Sequence, residues 1–143
     1  DGQIYIRDNV ACRGGIHMKE FREMRPVLVI GQNAGSFLGE YMAGGTIVLL
    51  GLNLKRGEKL FGTHCASGMH GGKIFVRGNF PKENLSPNIK VTNLDAEDAK
   101  ELEQYVKRYC KHFDADYNKI MSKKFKKLVP ATSRPYANLY TPN

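Results

Sequence analysis

The sequence predicts a single-stranded parallel β-helix, which is a solenoid, followed by C-terminal helices and an extended arm. All 15 glycines of the 143-residue chain lie between Gly2 and Gly78, so only this first part requires repeated sharp bends. Residues 33–42 align with residues 9–18 at an offset of 24, and the Met-x-Gly-Gly pattern that starts at Met42 returns 27 residues later at Met69. A near-regular period in the twenties is the coil length of a solenoid, in which each turn buries its apolar face against the next.

Each repeat contains one short apolar run with the length of a β-strand, at residues 4–6, 27–30, 47–50 and 74–76. Such runs are too short for buried helices, and too little sequence separates them for the helix of a βαβ crossover. We therefore expect parallel strands whose aliphatic side chains stack inside the coil, with Met18, Met42 and Met69 forming a ladder in its core. The alternative is a small antiparallel sandwich with glycine hairpins, but Asp1-Gly2 is the sole Asn-Gly or Asp-Gly pair of the chain.

Glycines between the runs are predicted to form the structural turns of the coil, because glycine readily adopts the left-handed conformation that sharp corners need. These positions are Gly39, Gly44, Gly45, Gly51, Gly68, Gly71, Gly72 and Gly78. A solenoid also has two open ends with unpaired strand edges. We expect the C-terminal segment to cover one end, and further turns or a partner protein to cover the end near Asp1.

The glycine-free remainder predicts a different kind of structure, which divides the chain into a glycine-repeat β-helix at residues 1–92 and a helical segment with an arm at residues 93–143. After an extended stretch over residues 88–94, a helix is expected to begin at Asp95, whose side chain can cap the first free N–H groups. An apolar stripe within residues 99–113 indicates that this helix packs against the coil. A second helix is expected over residues 116–126, and the proline-containing residues 128–142 predict an extended arm.

Composition and charge exclude several classes of protein. The chain is 41% hydrophobic and 25% charged, as is usual for a globular domain, and it has no apolar run long enough to span a membrane. Its first residues have neither a basic nor an apolar signal-peptide region, so no signal peptide is expected. Three cysteines are too few for a disulfide framework, which favours a cytoplasmic location. The net charge of +8 is spread over both parts. The densest basic run, residues 119–127, is interpreted as a solvated helix end or as a contact for phosphates or an acidic partner, and neither nucleic acid nor membrane is an expected partner.

The strongest candidate for chemistry is the group His64, Cys65 and His70. The spacing of the two histidines falls within the range of paired zinc ligands, but no second pair accompanies them, and adjacent strand residues point to opposite faces. The glycine spacing of residues 31–39 superficially resembles a dinucleotide-binding loop, yet another short strand follows where a helix would be needed. We therefore predict no catalytic, cofactor-binding or metal-binding residue in this chain.

Two glycine-rich blocks, GEYMAGG at residues 39–45 and GMHGG at residues 68–72, resemble the glycine-repeat (GXGXG) domain at the C-terminus of the glutamate synthase large subunit. Residues 125–130 resemble the ending of that family, and residues 13–20 resemble its stand-alone version. The resemblance covers roughly residues 4–130 and implies a right-handed parallel β-helix. The family's domain is usually longer, with more turns before position 4.

The resemblance implies a non-catalytic structural subunit or domain of a glutamate synthase-like complex. Such complexes transfer ammonia from glutamine to 2-oxoglutarate and reduce the product to glutamate. By resemblance, amidotransferase and FMN-binding synthase components are partner chains that carry the FMN and iron–sulfur cofactors, and this chain holds them in register without a cofactor of its own. Three alternatives remain open: a β-helix subunit like the C subunit of formylmethanofuran dehydrogenase, a small metal-dependent enzyme using His64, Cys65 and His70, or a binding module that self-associates through the open end of the coil.

Overall fold

The computed structural model describes residues 2–21 and 24–131, which form one sheet with helices on one of its faces. The strands are β1 (Gln3–Ile6), β2 (Val27–Ile30), β3 (Ala43–Leu49), β4 (Gly71–Arg77), β5 (Ile89–Thr92) and β6 (Phe125–Pro130), and the α-helices are α1 (Ala96–Phe113) and α2 (Tyr117–Met121). A short 3₁₀ helix spans Lys82–Asn84. The strand order in the sheet is β1-β2-β3-β4-β6-β5.

The four glycine-bounded apolar runs pair in parallel, as the repeat predicts. Ile4 lies opposite Leu28, Leu28 opposite Ile47, and Ile47 opposite Ile74, so equivalent residues of successive repeats lie side by side across β1 to β4. Side chains of a strand alternate between the two faces of a sheet, so this register places one aliphatic row on each face.

The solenoid prediction is wrong, because the strands form a single open sheet of mixed direction instead of a closed coil. Each repeat contributes one strand to the sheet, and in the described residues the returning connections carry isolated bridges such as Val10 to Ala34 and Cys65 to Leu85. The other two strands follow the last glycine, with β5 at the end of the predicted glycine-repeat part and β6 in the C-terminal part, and β6 pairs antiparallel with both β4 and β5. The glycine-rich returns turn too often to remain extended, so within residues 2–21 and 24–131 no second sheet closes the winding. The fold is therefore a mixed α/β sheet.

The C-terminal part differs from the sequence prediction after its first helix. The side chain of Asp95 accepts a hydrogen bond from the Asp98 N–H and caps α1, as predicted. The second helix, expected over residues 116–126, ends at Met121, and the residues expected to open the extended arm belong to β6. Residues 125–130 form a strand because they pair with the backbone groups at the edge of β4 and because Phe125 and Leu128 become buried. The rest of the predicted arm, residues 132–142, lies outside the described residues.

The sheet separates two apolar cores. One core lies between the sheet and the glycine-rich connections and contains Leu28, Ile47 and Ile74. The other lies between the opposite face and the helices, where Val29, Val48 and Phe75 pack against Leu102, Val106 and Tyr109 of α1. Both faces are covered, which explains why the strand runs are continuously apolar. Within residues 2–21 and 24–131, no helix combines the length and apolar character needed to cross a bilayer.

Candidate functional site

Three turns between the strands share one unusual backbone conformation. In each turn the first, third and fifth residues have positive φ angles between 54° and 68°. The three sets are Arg13, Gly15 and His17; Phe37, Gly39 and Tyr41; and His64, Ala66 and Gly68. Left-handed backbone costs about 1–2 kcal/mol at a residue with a side chain, and six of these nine positions are not glycine. The turns therefore need contacts that offset this strain.

Planar side chains from successive turns stack on one another and supply such contacts. The rings of Phe37 and His64 lie parallel within 5°, with centroids 4.7 Å apart, and the Arg13 guanidinium lies 4.6 Å from the Phe37 centroid. The rings of His17 and Tyr41 stack at 5.2 Å. Contacts of this kind contribute about 0.5–1 kcal/mol each. We call these five side chains the corner ladder.

The sequence prediction missed the corner ladder, although the signal was present in the repeat. The offsets of 24 and 27 residues place Arg13, Phe37 and His64 in one column of the alignment. Arginine, phenylalanine and histidine have little in common chemically, so this column gives no obvious sign of a shared role. Their shared left-handed backbone conformation, which places the side chains next to one another, is visible only in the structure.

The glycines predicted to form structural turns lie at the ends of strands or in the connections. Six have positive φ, namely Gly39, Gly45, Gly51, Gly68, Gly72 and Gly78. The other two, Gly44 and Gly71, lie in β3 and β4 where neighbouring residues approach closely. A Cβ atom on Gly71 would lie 2.2 Å from the carbonyl oxygen of Ala43 on the neighbouring strand. Lack of space, and not a turn conformation, requires glycine there.

The three methionines predicted to form a ladder are associated with one core. Met42 and Met69 are buried in the core on the connection side, and the partly buried Met18 packs against it. The backbone N–H of Met18, Met42 and Met69 donates in each case to the residue three positions earlier. The three methionines therefore occupy equivalent places, directly after the three turns.

The structure separates the side chains of His64, Cys65 and His70. His64 is exposed and stacks on Phe37, whereas Cys65 is fully buried in the core. His70 Nδ1 lies 3.2 Å from the Gly68 carbonyl oxygen. Burial raises the pKa of the Cys65 thiol to about 12, which opposes formation of the thiolate that a nucleophile or metal ligand requires. Across the described ranges, no three His, Cys, Asp or Glu side chains come together in a way that could hold a metal ion.

A partly buried ion-pair network connects α1 to the sheet. The carboxylate of Asp98, 5% exposed, accepts hydrogen bonds from Lys73 of β4 at 3.2 Å and from Lys127 of β6 at 2.6 Å. Lys73 also donates to Glu101 at 2.5 Å. Glu101 in turn accepts hydrogen bonds from Tyr105, at 2.6 Å, and from Thr46. The network fixes the first two turns of α1 over β3, β4 and β6.

The pKa values in this network follow from burial and from the neighbouring charges. Burial would raise the pKa of Asp98, but hydrogen bonds from Lys127, the Asp95 backbone and Lys73 outweigh it and lower the pKa. Burial would likewise lower the pKa of Lys73, yet Glu101 and Asp98 raise it. Burial and the adjacent Glu101 carboxylate raise the pKa of Tyr105. These shifts keep Asp98 ionised, Lys73 charged and Tyr105 neutral at neutral pH, which suits a structural contact.

The basic run at residues 119–127 begins in the last turn of α2 and continues into β6. Lys127 belongs to the Asp98 network, and the Lys126 ammonium donates to the Asn93 side chain at 2.6 Å. Lys119, Lys123 and Lys124 are exposed. This run therefore combines one lysine that fastens α1 with several that face solvent.

Comparison with known proteins identifies the family. The GXGXG motif family matches residues 1–134. An uncharacterized protein of the archaeon Methanocaldococcus jannaschii is 39% identical over 140 residues, which cover 94% of this chain and 54% of the relative. The chain thus spans about half the length of the curated relative it matches. The sequence resemblance is confirmed at the level of the family, and this chain belongs to the GXGXG motif family, whose domain is related to glutamate synthase.

Proposed function

We propose that this chain is a non-catalytic structural component of a glutamate synthase-like complex, and that it holds amidotransferase and FMN-binding synthase components in register for glutamate biosynthesis. The observation that carries the proposal is the family match over residues 1–134. The surroundings of the potential catalytic side chains support a structural role. His17 and His64 stack on aromatic rings, and the Cys65 thiol is buried.

The iron–sulfur cofactor is assigned to partner components, because the thiolates that hold such a cluster must meet at one site. The chain has three cysteines, and Cys65 and Cys110 lie in the two cores on opposite faces of the sheet. Cys12 is exposed, Cys65 is buried and Cys110 is partly buried in the core that faces the helices. The iron–sulfur centre is therefore expected on the synthase side of the assembly, and the family resemblance assigns FMN to the same side.

The β1 edge of the sheet is the surface that we assign to partner components. Strand β1 pairs with β2 on one side, and Ile4 is 59% exposed. Phe21 and Met24, which precede β2, are 65% and 51% exposed. An edge strand presents backbone donors and acceptors, and exposed apolar residues on it and in the connection to β2 favour docking of another chain.

Reconstitution tests this proposal. The full chain would be mixed with purified amidotransferase and FMN-binding components of the same organism, followed by size-exclusion chromatography with light scattering and an assay of glutamine-dependent glutamate formation. We expect a stable complex in which glutamate formation depends on this chain, while glutaminase activity of the amidotransferase alone persists. Glutamate formation that proceeds equally well without this chain would refute the structural role.

Two substitutions make the test specific to the surface. Ile4→Lys places a charge on the β1 edge, and Val91→Lys places the same charge on β5, at the opposite edge. We expect Ile4→Lys to weaken the complex and Val91→Lys to leave it intact. His70→Ala should leave glutamate formation unchanged, whereas its loss in a folded His70→Ala complex would favour a catalytic role.

The same edge supports self-association as a second candidate function. Antiparallel pairing of two β1 strands would extend the sheet across a two-fold axis and cover Ile4 of both copies. Light scattering on the isolated chain distinguishes the two candidates. A dimer that Ile4→Lys converts to a monomer would support self-association, and a monomer at all concentrations would exclude it.

A further inference from the structure

Two adjoining cavities open at the carboxyl ends of β3 and β4. The first, about 390 Å³, is lined by Gly78, Asn79, Lys123, Lys124 and Lys126. The second, about 520 Å³, lies between the connection that follows β3 and the α2 region, and it shares Lys123 with the first. We call the two together the lysine cleft. Its volume is in the range of sites that bind small molecules.

The charges around the lysine cleft are strongly unbalanced. No acidic residue lines the first cavity, and in residues 2–21 and 24–131 no carboxylate forms an ion pair with Lys123, Lys124 or Lys126. In the second cavity, Asp116 caps α2 by accepting from the Lys119 N–H. By contrast, Lys73 and Lys127 are neutralised by carboxylates elsewhere in the sheet.

A buried arginine adds a second, independent observation. Arg77 is 8% exposed and lines the second cavity. Its guanidinium donates to the carbonyl oxygens of Ile120 at 2.7 Å, Leu50 at 3.1 Å and Lys119 at 3.3 Å, and among the described residues it has no carboxylate partner. Buried charges in proteins are normally paired. The carbonyls satisfy the hydrogen bonds of Arg77, but its full positive charge remains beneath the cleft.

The contacts of Arg77 also hold the lysines in place. They join the end of β4 to the end of α2, and the Gly78 N–H donates to the Lys124 carbonyl at 2.9 Å. The backbone that carries Lys123 and Lys124 is therefore fixed relative to β3 and β4. A site with preplaced positive charge binds an anion without first ordering its own backbone.

We propose that the lysine cleft is a binding site for a small phosphate-bearing ligand. A phosphate group offers multiple negative charges and several acceptor oxygens, which matches a concave site lined by several lysines. An extended polyanion would instead require positive charge along a track. Because the recognition is electrostatic and partly exposed, the affinity falls as the ionic strength rises.

Calorimetric titration of the full chain with inorganic phosphate and pyrophosphate tests this proposal. The test variant is Lys123→Gln with Lys124→Gln, and the matched control is Lys100→Gln with Lys111→Gln, two exposed lysines of α1. Both pairs remove two positive charges. We expect one pyrophosphate per chain, a loss of affinity of at least about tenfold in the test variant and less than about twofold in the control. Circular dichroism establishes that each variant is folded.

Amide chemical shifts locate the bound ion. Pyrophosphate should shift the amide signals of Gly78, Asn79 and residues 122–126, and it should leave those of α1 unchanged. The absence of binding at millimolar pyrophosphate would overturn the proposal, as would equal losses in the two double variants or shifts confined to other surfaces. Binding of polyglutamate or a single-stranded oligonucleotide without binding of pyrophosphate would also overturn it, since the site would then be an interface for macromolecules.

Discussion

Replacing Asp98 by asparagine removes the central negative charge of the network that joins α1 to the sheet. In the native protein this carboxylate contacts two lysine ammonium groups, at 3.2 Å and 2.6 Å, and it also accepts from the N–H of Asp95. Asparagine has nearly the same shape but one acceptor oxygen and no charge. The substitution therefore tests the electrostatic contribution with little change in packing.

The expected loss of stability follows from burial. Removing one partner of a buried ion pair costs about 3–5 kcal/mol. The Asp98 side chain is 5% exposed, but its partners Lys73 and Lys127 are 27% and 18% exposed, and Lys73 retains Glu101. Water screens the uncompensated ammonium groups in part, and asparagine keeps one acceptor. We therefore expect Asp98→Asn to lower the free energy of unfolding by about 2–3 kcal/mol at pH 7.

The pH dependence gives the prediction its sharpest test. The pKa of Asp98 is lowered in the folded protein relative to its ordinary value of 3.8, because its hydrogen bonds outweigh its burial. A lowered pKa means that the stabilisation is fully present above the unfolded pKa and is lost as the pH falls through the folded pKa. The difference between wild type and Asp98→Asn should therefore be largest near neutral pH and shrink below about pH 4.

Urea denaturation monitored by circular dichroism measures both the loss of stability in Asp98→Asn and its dependence on pH. The matched control is Glu103→Gln, because Glu103 pairs with Lys107 at 2.8 Å on the surface of α1, with side chains 49% and 59% exposed. We expect little change in that control. Equal effects of the two substitutions, or a difference for Asp98→Asn that stays constant between pH 7 and pH 3, would show that the network does not stabilise the fold electrostatically.

Three further predictions concern the turns, the strand contacts and the buried thiol. Phe37→Ala and Phe37→Gly both remove the stacked ring, so the difference in stability between them isolates the effect of the left-handed backbone. The free energy of unfolding of the glycine variant should be about 1 kcal/mol higher than that of the alanine variant. Equal stabilities of the two variants would contradict the strain argument. Gly71→Ala should destabilise the protein by more than about 2 kcal/mol in thermal or urea unfolding because its Cβ would meet the neighbouring strand at 2.2 Å, whereas Gly2→Ala, with nothing within 4 Å, should be neutral. Cys65 should resist iodoacetamide at pH 8 while the exposed Cys12 reacts, as peptide mass spectrometry would report; rapid labelling of native Cys65 would contradict its burial.

The parallel pairing of the first four strands was predictable from the sequence because it depends on a local pattern that repeats. Apolar runs of similar length recur in each repeat, and the successive runs pair in parallel in the structure; the spacing of 19 residues between Leu28 and its partner Ile47 was not predicted. The start of α1 was predictable for the same reason, since an aspartate directly before an amphipathic stretch caps its own helix. A structural feature that depends on residues close together in the chain can therefore be predicted from the sequence.

The predictions failed where distant residues decide the conformation. Residues 125–130 contain two lysines and a proline and have no strong strand signal of their own, yet they form β6 because the edge of β4 offers backbone partners and Phe125 and Leu128 each enter a different core. The prediction for the turns was incomplete, since left-handed backbone was expected at glycines alone, whereas Arg13, Phe37 and His64 also adopt it and are held by stacking.

The amino-acid sequence by itself determined the family, the parallel repeat and the first long helix, because each is encoded in residue spacing that can be read within one or two repeats. Tertiary structure alone decided that the strands form one open mixed sheet, that α1 is fastened by Lys73 and Lys127, and that uncompensated positive charge gathers at Arg77 and the lysine cleft. The physical reason is that strand edges, buried charges and stacked rings obtain their partners from segments far apart in the chain, and only folding brings those partners within contact distance.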